Sequence, residues 1–129
     1  MVVKVVFNKA AMDEMLKSPT GMVGRHLAER ATRIVIAAKM QAGVKTGKLK
    51  ASIHMRHERG GMGGQYVMVG SSLHYALLHH EGTKPHIIVP NRSNVLRFSS
   101  GGRVIYTHAV RHPGTRPNRY LTDNLYLIR

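Results

Sequence analysis

The 129-residue chain has no cysteine and no tryptophan, only six acidic residues, and an aromatic content of 5%. Without cysteine there are no disulfide scaffolds, thiolate nucleophiles or Cys-type zinc sites. So few aromatics make a poor platform for stacking single-stranded bases. Acid–base catalysis needs converging carboxylates, a His–carboxylate pair or an activated nucleophile, and three of the six carboxylates fall within the first 29 residues. A non-enzymatic protein without cofactor or metal is therefore expected. No apolar run approaches the ~18 residues of a membrane span. Met1–Phe7 is too short, and too uncharged ahead of its apolar stretch, for a secretion signal. The expectation is one soluble, intracellular domain over 1–129, long enough for a core without staples.

What the chain has is positive charge: 20 Lys plus Arg, for a net +14, and nine histidines besides. Residues 1–29 hold four bases and three acids, and the remainder sixteen bases and three acids. A field of this size draws polyanions. No dense Lys/Arg block marks a basic arm, so duplex backbone and an acidic protein partner fit the charge equally well.

The pattern of side chains predicts an α+β fold. Val3, Val5 and Phe7 alternate with Lys4 and predict a strand over 1–7. A helical part follows over 8–43. A short helix at 9–17 carries Met12, Met15 and Leu16; Ser18-Pro19 then reads as an N-cap and first helical residue. Val23, Leu27, Ala31, Ile34, Ala38 and Ala42 recur at the spacing of one long amphipathic helix. Residues 46–110 predict a sheet with a short helix. Ile53, Met55 and His57 alternate up to the loop Gly60–Gly64, and Tyr66–Val69 returns, which predicts a hairpin. Leu73–Glu81 is helix-like, with Leu73, Ala76, Leu77 and His80 on one side and Gly82 as C-cap. An inserted three-stranded β-meander is expected over 86–110, with strands His86–Val89, Val95–Phe98 and Arg103–Val110. Asn118 is expected to cap a C-terminal helix (118–129) that turns Leu121, Leu125 and Ile128 to the core.

One motif occurs twice. His80-Glu81-Gly82-Thr83-Lys84-Pro85 and His112-Pro113-Gly114-Thr115-Arg116-Pro117 share H-x-G-T-[K/R]-P. Glycine permits a left-handed turn, and proline makes its predecessor extended. The repeat is either one turn chemistry used twice or two halves of one site, with the intervening strands as an excursion.

Other constellations carry less. Gly43–Leu49 has one residue too few between its glycines for a phosphate loop and puts Leu49 where Ser or Thr must hold magnesium. His74, His79 and His80 lack the i, i+3 or i, i+4 spacing of helical metal ligands, so packed and solvated imidazoles are expected, with Glu81 and His86 nearby in sequence. Neighbours such as His80 and Glu81 are not expected to face each other on a helix.

The motif order, rather than any single motif, carries a resemblance. A basic amphipathic helix runs into A-G-x-x-T-G-x-L-x-x-S-I (Ala42–Ile53). A hairpin then ends in Val69-Gly70, followed by Y-A-x-x-x-H-E-G-T (Tyr75–Thr83), H-P-G-T-R-P and a terminal helix. Over about residues 20–126 this order resembles the head–tail connection (neck, or tail-completion) proteins of long-tailed bacteriophages. The chain departs from that pattern in having Arg119-Tyr120-Leu121 where proline–phenylalanine precedes leucine, and in the insertion at 86–110.

The resemblance implies a structural virion protein of the phage neck, assembled in the host cytoplasm. It would form a homo-oligomeric ring, of six subunits, between the head connector and the tail-terminator or tail-tube proteins. Double-stranded DNA would pass through the lumen without sequence recognition. His80, Glu81, Gly82, Thr83, Lys84, His112, Gly114, Thr115 and Arg116 are candidate subunit or partner contacts. Lys45, Lys48, Lys50, Arg56 and Arg59 are candidates for the lumen or for an acidic partner. The alternatives are a tail-terminator ring, a small basic duplex-DNA-binding protein, and a metal-dependent nuclease built on the histidines of 74–86.

Overall fold

In a computed structural model, which describes residues 1–129 with the exception of the Met62 side chain, the fold is α+β. Its spine is helix α2 (Met22–Gln41). Ala31, Ile34, Ala38 and, just past its end, Ala42 are buried, while Val23 and Leu27 are half-buried, so the predicted stripe all points inward. The helix starts later than expected. Ser18 Oγ accepts from the Thr20 amide, making a local turn, and Gly21 is the N-cap. Gly24 packs on that turn so closely that a Cβ there would lie 2.4 Å from the Pro19 carbonyl oxygen.

Helix α1 (Lys9–Lys17) is capped by the Asn8 side chain and buries none of its residues. It packs against α2 and is tied to the sheet where Gln65 Nε2 donates to the Leu16 carbonyl (2.7 Å). Residues 1–7 form no strand: they pair with nothing, and Val2, Val3, Val5, Val6 and Phe7 are all more than 70% exposed. Alternation alone does not make a strand without a partner to take its backbone bonds.

The turn at Gly47 leads into α3 (Lys48–Ser52), and the predicted hairpin follows: β1 (Ile53–Arg59), a 3₁₀ turn at Gly61–Gly63, and β2 (Gln65–Ser71). In its register Ile53 faces Ser71, Met55 faces Val69 and His57 faces Val67. This hairpin and the closing segment both pack on α2. Helix α4 (Ala76–Glu81) buries Ala76 and His80 but leaves Leu77 exposed, a correction to the expected face. The core consists of Ala38, Ala42, Leu49, Ile53, Ala76 and Tyr120, flanked by Val35, Leu73, Tyr75 and Leu121.

The inserted strands pair differently from a meander. β3 (His86–Ile88) pairs with β6 (Val110–His112), and β4 (Leu96–Ser100) pairs with β5 (Arg103–Thr107). The insertion is thus one antiparallel arm: a hairpin carried on a second two-stranded ribbon. Its strands pack principally against one another. The C-terminal element is a 3₁₀ helix (Thr122–Ile128). Leu125 and Ile128, expected in the core, are exposed; Tyr120 and Asn124 are the buried residues.

Candidate functional site

The two H-x-G-T-[K/R]-P segments meet at the foot of the arm. The Thr83 amide donates to the Thr115 carbonyl and the Thr115 amide to the Thr83 carbonyl, both at 3.1 Å, and the two hydroxyls lie 3.1 Å apart. Gly82 and Gly114 both have positive φ, +74° and +87°. A Cβ on Gly82 would lie 2.5 Å from the Thr115 oxygen, and one on Gly114 2.2 Å from the Thr83 oxygen. The contact is nearly symmetric: each glycine leaves room for the other copy's threonine carbonyl. Pro85 and Pro117 then send the chain away extended. The His86 and His112 rings stack 5.1 Å apart as the arm begins. Lys84 and Arg116 are exposed beside this clasp.

Behind the clasp lies a second knot. His80 is buried, with its ring edge on Tyr120 at 5.4 Å. Its Nδ1 lies 2.7 Å from Glu81 Oε1, and its Nε2 is 3.3 Å from Thr122 Oγ1. The pairing of adjacent residues corrects the expectation from helical geometry. Glu81 is the last residue of α4, and the chain turns at Gly82, so its side chain can fold back over the ring. With Nδ1–H donating to the carboxylate, Nε2 accepts from Thr122, which fixes the tautomer. Carboxylate, imidazole and hydroxyl stand in the order of a nucleophile relay. Here the imidazole is 8% exposed under Tyr120, and the chain of bonds joins α4 to the closing segment.

More bonds tie that segment to α2. Asn118 Nδ2 donates to the Gln41 carbonyl (3.1 Å) rather than capping a helix, and the Asn118 amide donates to the His79 carbonyl. Asn124 Nδ2 donates to Gln41 Oε1 and to the Tyr120 carbonyl, both at 2.8 Å. Burial pushes the Tyr120 phenol above its usual range. The motif repeat pointed to the clasp. No sequence signal pointed to Tyr120 as the largest fully buried side chain or to Asn124 as its anchor.

The remaining histidines are dispersed. His74 meets Tyr75 edge-on, His79 contacts Asn118, and His86 contacts His112. Among the described residues no three His, Asp or Glu converge on a metal position, and no helix is long and apolar enough to cross a membrane. Of the basic candidates, Lys45, Lys48 and Lys50 are exposed around the turn into α3. Arg56 lies partway along β1 and is paired with Glu58. Arg59 stands at the far end of β1, about 20 Å from its start at strand rise.

The chain exposes 10473 Å², whereas a compact monomer of 14.4 kDa exposes about 6,800 Å². The arm supplies part of the excess. Ile88, Leu96, Phe98 and Val110, with Arg97 and His112, line one groove of about 360 Å³, and Phe98 and Ile105, opposite each other in register, remain 37% and 39% exposed. The other face of the arm presents Arg97, Arg111 and Tyr106 together with the exposed Ile87 and Val104. Residues 1–7 supply more. No protein-family model, curated protein or solved structure matches the chain.

Proposed function

We propose that this chain is a non-enzymatic structural subunit of a homo-oligomeric ring in a phage neck, joining the head connector to the tail. The observation that carries the assembly part of this reading is the uncovered surface. A chain that buries a small core yet holds out an arm with apolar side chains exposed on both faces and an apolar N-terminal segment has surface for several neighbours, since one side of a standard interface takes only about 800 Å². The motif order supports the phage assignment, and the positive field suits a lumen through which duplex DNA passes. In this reading His80, Glu81 and Thr122 hold the closing segment in place and do no chemistry on a substrate. The tail-terminator layer is the variant of the same reading that sits one ring further down.

Light scattering combined with sedimentation velocity over a wide concentration range tests the assembly, and cross-linking within purified virions tests its place. Rings and neck cross-links are expected. A free monomer that never joins particles overturns the reading.

The charge favours one further reading, a duplex-DNA-binding protein. Six phosphate contacts would give a log–log salt slope near −5, so titration of a random duplex against salt separates the two. A shallow slope with weak binding belongs to the ring subunit, and tight binding with a steep slope belongs to the DNA binder.

A further inference from the structure

Residues 1–7 have the makings of a strand but no sheet to join. They hold four valines and a phenylalanine, with no glycine or proline, a composition that suits a pleated, half-buried surface. Yet Val2, Val3, Val5, Val6 and Phe7 are exposed, and among the described residues no backbone group of the segment has a partner. A stretch of this kind adds readily to an open sheet edge, the main chain supplying the bonds and alternate side chains the selectivity.

The body has one such edge. β1 and β2 form a two-stranded sheet. Beside β2 stand α4 and the closing segment, for Gly70 and Ser71 share a cleft with Ala76, Tyr120 and Thr122. At its other end Gln65 is bonded to Leu16 of α1. The outer side of β1 is open: among the described residues its backbone bonds only to β2. Apolar surface runs along that side. Thr32 Oγ1 of α2 meets Met55 Sδ at 3.7 Å, so this flank of the helix stands over β1, and Ile36 follows one turn later. Met55 and Ile36 are 36% and 55% exposed. The opposite flank of α2 holds the closing segment, through Arg30 and Gln41.

We infer that residues 1–7 of one copy add as a third strand to β1 of the next copy, with Val3, Val5 and Phe7 turned toward Met55 and Ile36 and Lys4 toward solvent. This rests on the ring reading and names a contact within it. The occupant is a second copy because one chain supplies both parts, each without a partner of its own and each seven residues long. The strand's unpaired backbone groups meet the unpaired groups of the edge, and its apolar side covers the exposed flank of α2. A two-stranded sheet is marginal in water, and a third strand strengthens it. Donor strand and acceptor edge are different surfaces of one subunit, so the contact is head-to-tail and either closes a ring or continues as a filament.

Full-length variants test the contact. In V3P/V6P one of the two lost amides faces the edge whichever way the strand lies, because odd and even positions present their amides to opposite sides. Residues 1–7 bury nothing in the single chain, so its melting curve, followed by circular dichroism, should not change. The concentration needed for assembly should rise about tenfold or more. Cross-linking then locates the edge, since the chain has no cysteine of its own. V3C, V5C and F7C subunits are each mixed with I36C subunits, and with L77C, exposed on α4, as the control. Disulfide-linked dimers are expected with I36C and not with L77C, and V2C and V6C, on the strand's other face, should link less. If wild type assembles and V3P/V6P assembles equally well, the segment is not the contact and the ring reading stands. If the proline variant fails to assemble but I36C links no better than L77C, the segment adds elsewhere and the inference is overturned. A disulfide within single chains of V5C/I36C at high dilution places the segment on its own edge and overturns it too. A wild-type chain that stays monomeric at every concentration and in particles overturns both.

Discussion

The body and the arm of this protein are built from the same materials and treated in opposite ways. Both contain antiparallel hairpins with a glycine-rich turn and alternating apolar residues. In the body, α2 lies across β1–β2, and Ile53 is fully buried as a result. In the arm β4 and β5 pack chiefly on each other, and Phe98 and Ile105 stay more than a third exposed. The difference lies in what stands next to the strand rather than in the strand itself: α2 closes over the first hairpin, while the second keeps much of its apolar surface exposed.

Breaking the body has the largest expected effect. Tyr120→Ala removes the largest fully buried side chain and should cost about 3–5 kcal/mol, read as a lower midpoint in urea unfolding. The clasp comes next. Gly82→Ala or Gly114→Ala adds a Cβ against a backbone carbonyl at a positive φ and should each cost about 1–3 kcal/mol. At the arm tip, Gly101 and Gly102 also have positive φ but face open space, so alanine there should cost only about 1 kcal/mol of conformational strain. Phe98→Ala, at a side chain little more than a third exposed in the arm groove, should cost about 1 kcal/mol of monomer stability while weakening assembly. That reversal of order between a melting curve and a sedimentation profile is the sharpest form of the comparison.

The smallest effect is in pH. Tyr120 has its phenol pKa raised by burial, so as pH rises the unfolded chain loses the proton first. Stability from this group is whole below the ordinary phenol range near 10 and declines above it, and Tyr120→Phe should flatten the decline. The exposed carboxylate of Asp13 is held below its usual range by Lys17 and by the more distant Lys9. Its contribution is present above the ordinary carboxylate pKa and lost as pH falls through the lowered one. Asp13→Asn should remove that slight acid sensitivity from α1.

What was legible in the chain followed from short-range physics. The α2 stripe was readable because one face meets the core for six turns, and the β1–β2 hairpin because a glycine loop joins adjacent strands. Gly82 was readable as a C-cap for the same local reason. The arm's pairing was not, because β3 finds its partner 22 or more residues later and nested ribbons share a local signature with a meander. The strand expected at 1–7 failed because alternation says which side chains agree, not whether an edge is present. The closing helix is present, but as a 3₁₀ helix that leaves Leu125 and Ile128 exposed, because two polar anchors, Asn118 and Asn124, bind the end of α2 and hold the chain in a tighter turn than its leucine spacing suggests. The repeat left open whether one turn chemistry is used twice or two halves meet, and the Thr83–Thr115 bridge brings the two copies together. Nothing local foretold that Glu81 would turn back on its neighbour.

The paired Thr83 and Thr115 have a consequence for how such a chain can change. Everything between them leaves and re-enters the body through two backbones one strand spacing apart, held by bonds that involve no arm residue. The stretch is therefore a cassette. A short turn across the clasp would close the gap, and a longer, shorter or differently charged hairpin would fit the same socket. The arm's length and charge can be rewritten there without repacking α2, Ile53 or Tyr120.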